Sequence, residues 1–233
     1  MKNLNELAEH YKTDKRELEH NYVESYDKYF SYLRESCKKL LEIGIYRPPN
    51  NGDGRVVGAS LKMWEEYFDK SEIYGFDVDD FSDVAREGDR ITTFIGNQDL
   101  RYSRKENTNS KNHVGADIGL DDFIKTCGSD FDVIIDDGGH YVDHQQLTLG
   151  FLFEHLKSGG IYVIEDLHTS YNQAYNKDNT TKTTLYVLQN YINKKEIDSP
   201  YILDSEKQYL EENIESIVID RASISEIAFI KKK

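Results

Sequence analysis

Proline, cysteine, methionine and tryptophan are scarce in this 233-residue chain, at three, two, two and one. Cys37 and Cys127 are far apart and match no metal or redox spacing, so nothing points to a disulfide framework or a thiolate metal site, and both read as reduced. Basic residues are also in deficit: 29 Lys and Arg face 43 Asp and Glu, a net charge of -14. That balance argues against nucleic acid or an anionic membrane as the partner, since both need clustered cations. The Lys231–Lys233 tail reads as a solvated end. No apolar run approaches the about 18 residues of a membrane span, and the amino terminus has no signal-peptide core, so the cytoplasm is the expected location. What is abundant is tyrosine, 17 residues, which suits a polar aromatic pocket, a subunit interface or a tyrosine-rich core.

The length fits a single globular domain. Residues 1–36 contain no Gly or Pro and read as a helical, polar-aromatic lead-in to a main unit over 37–233. Strands are expected at KKLLEIGI (38–45), SEIYGFDVDD (71–80), RITTFIGNQ (90–98), the Phe131 run and the Ile161 run. Helices are expected at SLKMWEEYF (60–68) with Ser60 as N-cap, at LDDFIKTC, at HQQLTLGFLFEHLKSGG closed by its glycines, and around 185–193. The loop after Gly44 carries two of the three prolines. Residues 101–116 read as a polar surface loop, and ESIVIDRASISEIAFIKK as a terminal antiparallel hairpin. Strand and helix alternate from 38 to about 166, the signature of an α/β, mostly parallel, doubly wound sheet.

Two strands end in acids. FDVIIDDGGH (131–140) stops at Asp136-Asp137 and His140, and GGIYVIEDLHTSY (159–171) stops at Glu165-Asp166. Open α/β sheets do their chemistry in the crevice beyond the carboxyl ends of their strands. Asp137, Glu165 and Asp166, on neighbouring strands about 4.8 Å apart, are expected to share one hard cation. Oxygen-only ligands suit Mg²⁺. The ion would acidify an acceptor hydroxyl, with His140 as the base that takes its proton. The alternative is that such acids only cap helices. Glu42 and Gly44 end the first strand, Asp77 the second, and Gln98 with Asp99 the third. Gly44 lets backbone approach a ligand, and Asp77 suits ribose hydroxyls. Each also fits a tight turn, a solvated acid or a helix cap. GxGxxG is absent, so a cofactor without phosphates, S-adenosylmethionine, fits better than NAD. His144, Gln145 and Gln146 read as a solvated helical face, and Trp64 and Tyr67 as core. His168 to Tyr171 either shape an acceptor pocket or are plain loop.

LLEIGI, SLKMWEEYF, IYGFDVDD, IIDDGGH and GGIYVIEDLHTSY together resemble the class I, Mg²⁺-dependent, S-adenosylmethionine-dependent sugar O-methyltransferases of the mycinamicin and macrocin type. LAEHYKTDK, followed by His20, Tyr22 and Tyr26, resembles that family's lead-in. The resemblance implies a Rossmann-like, seven-stranded sheet with a carboxy-terminal antiparallel hairpin and an amino-terminal helical segment. It implies metal ligands at Asp137, Glu165 and Asp166, a base at His140, and cofactor contacts at Glu42, Gly44, Asp77 and Gln98. It also implies a homo-oligomer, with Tyr22, Tyr26 and Tyr171 as candidate acceptor contacts. The chain departs from the family pattern in its long Pro48-Pro49 loop, with Arg47 and Arg55, and in lacking the macrolide enzymes' extra amino-terminal domain. Both departures point to a smaller sugar acceptor, nucleotide-linked or bound for a surface polysaccharide. A catechol-type enzyme and a non-catalytic cofactor-binding assembly subunit are the competing functions.

Overall fold

The structure, a computed structural model, describes residues 2–17, 19–46, 56–104, 115–222 and 224–233. Helices α1 (Leu4–Tyr11) and α2 (Val23–Phe30) precede strand β1 (Lys39–Ile43). Then follow α3 (Ala59–Tyr67), β2 (Glu72–Asp77), α4 (Ser82–Glu87) and β3 (Ile91–Ile95). Next come α5 (Leu120–Cys127), β4 (Phe131–Asp136), α6 (Val142–Leu152) and β5 (Leu156–Ile164). Helices α7 (Thr184–Lys194) and α8 (Asp204–Asn213) lead to the hairpin β6 (Ile214–Arg221) and β7 (Glu226–Lys232). The strands form one seven-stranded sheet in the order β3-β2-β1-β4-β5-β7-β6. Neighbours from β3 to β5 are parallel, and β7 inserts antiparallel between β5 and β6. The expected doubly wound sheet with its closing hairpin is therefore present.

Alternation along the strands builds two cores. Leu40, Val133, Ile135, Ile161 and Val163 face one side, against α1, α2 and α3, where Trp64, Tyr26 and Phe30 are buried. Leu41, Ile134, Tyr162 and Ile164 face the other, against α5, α6 and α7. Helix α1 opens on a capping box between Asn3 and Glu6 and ends at Lys12 in the left-handed region, φ 58°. That reversal sends residues 13–17 back across the carboxyl ends of the strands, where Lys12, Thr13, Asp14 and, further along, His20 line a cavity.

Several local expectations fail for identifiable reasons. Ser60 is not the cap of α3: Gly58 holds that position, and the Ser60 hydroxyl instead donates to Glu42 Oε2 at 2.7 Å. The Gly159-Gly160 pair does not close α6, which ends at Leu152 and passes through one 3-10 turn. The pair sits inside β5 near a register shift against β4, the usual strand use of glycine at an irregularity. The third strand stops at Ile95, so Gln98 and Asp99 lie in the loop beyond it. Gln145 and Gln146 are buried rather than solvated, donating to the carbonyls of Glu165 and Lys182. Much of the 101–116 loop, and the Pro48-Pro49 loop with Arg47 and Arg55, lie outside the described residues.

Candidate active site

The winding reverses between β1 and β4, which are adjacent in the sheet although β2 and β3 lie between them in sequence. The crevice at that reversal is where an open α/β sheet accepts a ligand. A cavity of about 630 Å³ opens there, lined in part by Gly44, Asp77, Gln98, Asp137, His140 and Asp166. Gly44 has φ +87°, and a Cβ on it would lie 2.1 Å from the Asp137 carbonyl oxygen. Only glycine lets the chain leave β1 this close to the end of β4.

Register sets the acids level with one another. Ile43 pairs with Asp136 and Asp136 with Ile164, so Gly44, Asp137 and Glu165 occupy the next position on three neighbouring strands. The Asp137 amide donates to the Ile43 carbonyl and the Glu165 amide to the Asp136 carbonyl. Pleating sends Glu42, Asp137 and Glu165 to the face covered by the amino-terminal segment. There Lys15, fully buried, places its Nζ 2.6 Å from Asp137 Oδ2, 2.8 Å from Glu165 Oε1 and 3.2 Å from Glu42 Oε1. The Tyr26 hydroxyl also donates to Glu165 Oε1.

Asp166 adopts φ +55° and turns toward the cavity. Its Oδ1 meets His20 Nδ1 at 2.9 Å and accepts from the Tyr22 hydroxyl at 2.6 Å and from the Ser225 hydroxyl at 3.3 Å. Its Oδ2 lies 3.4 Å from His140 Nε2. Ligand atoms of Asp137, His140 and Asp166 lie within 4.8 Å of one another, and so do those of Glu42, Asp137 and Glu165. The three expected metal ligands thus fall into two triangles that share Asp137.

Electrostatics separate these acids. Burial pushes Asp137 up, against the pull of the Lys15 charge. Burial and the neighbouring Asp137 push Glu165 well up, against Lys15 and the Tyr26 hydroxyl. Burial works on Asp166 too, but the His20 hydrogen bond, the charges of His140 and His20 and the Tyr22 hydroxyl outweigh it and hold Asp166 below the carboxylate range. Burial would lower Lys15, yet Asp137, Glu165 and Glu42 together raise it well above its usual value. Asp136, on the other face of the sheet, is pushed up to about 6 by burial.

The remaining expected residues divide in the same way between cavity and wall. Asp77 lines the cavity, its carboxylate accepting from the Ile45 and Asp79 amides at 2.8 and 3.1 Å. Gln98 lines it as well, but acts as a brace, donating to Asp136 Oδ1 at 3.1 Å and accepting from the Gly139 amide at 2.6 Å. Glu42 is fully buried behind the cavity wall against Ser60 and Lys15. Tyr22 and Tyr26 are not exposed at all; their hydroxyls hold Asp166 and Glu165, so direct acceptor contact in this conformation is not available to them. Tyr171 is 69% exposed on the outer side of a 3-10 turn and reaches Glu226, away from the cavity. Sequence reasoning gave no role to Lys15, His20, Ser225 or the pair Tyr141 and Tyr175. Tyr141 and Tyr175 have ring centroids 5.5 Å apart, and Lys177 Nζ lies 3.8 Å from the Tyr141 centroid. All three line the cavity, beside His140 and His144. A signal for Lys15 lay in the charge count, because several acids brought to one point call for a buried cation.

The donor set fits a small hard cation: carboxylate oxygens converge there, with the His140 imidazole beside them. His140 Nδ1 is buried beside it without a hydrogen-bond partner.

No protein-family profile matches the chain. It is 35% identical over 177 residues to demethylmacrocin O-methyltransferase of Streptomyces fradiae, covering 75% of this chain and 39% of the relative. It is 35% identical over 171 residues to mycinamicin VI 2''-O-methyltransferase of Micromonospora griseorubida, covering 72% and 37%. The chain therefore spans less than half the length of these curated relatives. Among solved structures it matches the MycE methyltransferase of the mycinamycin biosynthetic pathway, in complex with Mg, SAH and mycinamycin VI. The TM-score is 0.73 at 28% identity, over 99% of this chain and 54% of that one.

Proposed function

With the chain a homologue of the macrocin- and mycinamicin-type sugar O-methyltransferases over most of its length, we propose that it moves the methyl group of S-adenosylmethionine to a hydroxyl of a sugar-bearing small molecule. One observation carries this reading: Asp137, His140 and Asp166 converge at the floor of the switch-point cavity that Gly44 opens. Asp137, Glu165 and Asp166 are the residues to hold Mg²⁺, through the carboxylate oxygens that Lys15, Tyr26 and the His20–Tyr22 pair leave over. Mg²⁺ bound there supplies Lewis acidity toward an acceptor hydroxyl.

The chain's own groups do the rest. Gly44 and Asp77 border the space for the cofactor, and Asp77 is the residue that would take its ribose hydroxyls. Glu42 and Gln98 support that wall from behind. His140 Nε2 takes the acceptor proton, and Asp166 Oδ2 beside it stabilises the resulting imidazolium. The acceptor oxygen bonds to the methyl carbon while the carbon–sulfur bond breaks, its electron pair staying on sulfur. Alignment of the two reactants contributes much of the acceleration.

For the acceptor we favour a nucleotide-linked sugar. Tyr141 and Tyr175 offer an aromatic shelf next to His140, and Lys177 adds a cation in an otherwise acidic chain. The same shelf would take a planar catechol. A screen with labelled cofactor and Mg²⁺ separates these: nucleoside diphosphate sugars, neutral glycosides and catechols are offered in parallel. Methylation of the first class supports the reading, and turnover of catechols alone defeats it. Cofactor binding without turnover of any class would favour a non-catalytic subunit. An assembly of several copies is part of this reading, and light scattering tests it.

A further inference from the structure

Lys15 performs no step of methyl transfer, yet its charge is buried within the site. Its side chain is fully buried and its Nζ is enclosed by oxygens of Asp137, Glu165 and Glu42 at 2.6, 2.8 and 3.2 Å. Those three acids come from the ends of β4, β5 and β1. Without the ammonium, their ligand atoms would form a second cation-sized triangle, within 4.8 Å of one another and joined to the Asp137–His140–Asp166 triangle through Asp137. Two cation positions bridged by one carboxylate is the plan of a dinuclear centre, whose ions sit about 3.5–4 Å apart. Here a side chain fills one of the two.

We propose that Lys15 is the resident cation of a two-cation site: its ammonium occupies the Glu42–Asp137–Glu165 position and restricts the enzyme to one divalent ion. The segment that carries it is fixed for the purpose. The Lys15 carbonyl accepts from the amides of Tyr22 and Val23, so the loop closes on itself at the start of α2. By engaging Asp137 Oδ2, the ammonium also orients that carboxylate between the two positions. This inference rests on the proposed metal reading of the Asp137–Asp166 side.

Mn²⁺ binding to the full chain, by equilibrium dialysis and electron paramagnetic resonance, tests it. The wild-type protein should bind one Mn²⁺ per chain. Lys15→Met, which keeps the apolar stem of the side chain and removes the ammonium, should bind two, with the broadened signal of a coupled pair. Two Mn²⁺ on the wild type, or one on folded Lys15→Met, overturns the proposal. Should Lys15→Met not fold, the double variant Lys15→Met/Glu42→Gln removes one acid along with the ammonium. It should still take a second ion, about tenfold more weakly than the first, and a single ion on it counts against the proposal equally. Glu42→Gln alone should stay at one. No Mn²⁺ on a wild type that still binds S-adenosylhomocysteine removes the metal reading itself, and this inference with it.

Discussion

The acids of the site differ by their partners rather than by their type. His20, His140 and Tyr22 hold Asp166 low, whereas burial raises Asp137 and Glu165 against the charge of Lys15. Removing the Tyr22 hydroxyl takes a 2.6 Å donor from a buried anion. Tyr22→Phe should therefore lower stability by about 1.5–3 kcal/mol, the usual worth of a hydrogen bond to a charged group, as read in denaturant titration. A loss below about 0.5 kcal/mol would mean that His20 and Ser225 satisfy Asp166 by themselves. His140 carries a different kind of prediction. If its imidazole takes the acceptor proton, His140→Ala should cut kcat by about 10²–10⁴-fold. Binding of S-adenosylhomocysteine should be unchanged by calorimetry. Equal losses in turnover and cofactor affinity would assign His140 to binding instead.

At the scale of the element, much was legible in the sequence. The strand ends are marked by acids because a buried apolar run stops where the crevice begins, and β1, β2, β4 and β5 all follow that rule. The division of the acids was not legible, because it depends on the turn that follows β5. The sequence presents Glu165 and Asp166 as a pair, yet both lie beyond Ile164, and the left-handed backbone of Asp166, φ +55°, turns it away from Glu165. Glu165 goes to Lys15 and Tyr26, and Asp166 to His20 and His140. Lys15 and Ser225 enter from segments far away in sequence, so no local pattern announces them. Helix α8, with one buried residue, Leu210, has too thin an apolar stripe to stand out. Pleat isolates Asp136, which faces Gln98 on the side of the sheet opposite Asp137. Burial raises it to about 6, above its ordinary value of 3.8. A carboxyl raised on folding adds stability at low pH that is lost as pH rises through the folded value. Asp136→Asn removes that loss, so the variant should gain on the wild type between about pH 4 and pH 7. The expected relative gain is about 2–3 kcal/mol from a shift of this size, measured by urea unfolding at each pH. A difference that stays flat across the range would show that Asp136 is charged in the fold without penalty.

For the whole molecule, the acidic balance and the crevice belong together. A chain of net charge -14 that draws carboxylates to one point accumulates repulsion there, and bound cations relieve it. Stability should accordingly depend on the ligands the site takes. A ligand that binds only the folded state at a hundredfold excess over its Kd adds about 2.7 kcal/mol. In a domain of this size each kcal/mol moves the melting temperature by about 2–4 °C. Saturating Mg²⁺ in the presence of S-adenosylhomocysteine should thus raise the melting temperature by about 5–10 °C over the cofactor product alone. Excess chelator should reverse that increment and abolish methyl transfer. Asp137→Asn and Asp166→Asn should each erase the Mg²⁺ increment while keeping most of the one due to S-adenosylhomocysteine, because Gly44 and Asp77 lie toward the β1 and β2 side of the cavity. Tyr171→Phe, altering an exposed hydroxyl on the outer surface, should leave both increments intact. If Mg²⁺ stabilises the Asp166→Asn protein as much as the wild type, the ion binds elsewhere, and Asp137 with His140 would then have to carry out proton transfer without it.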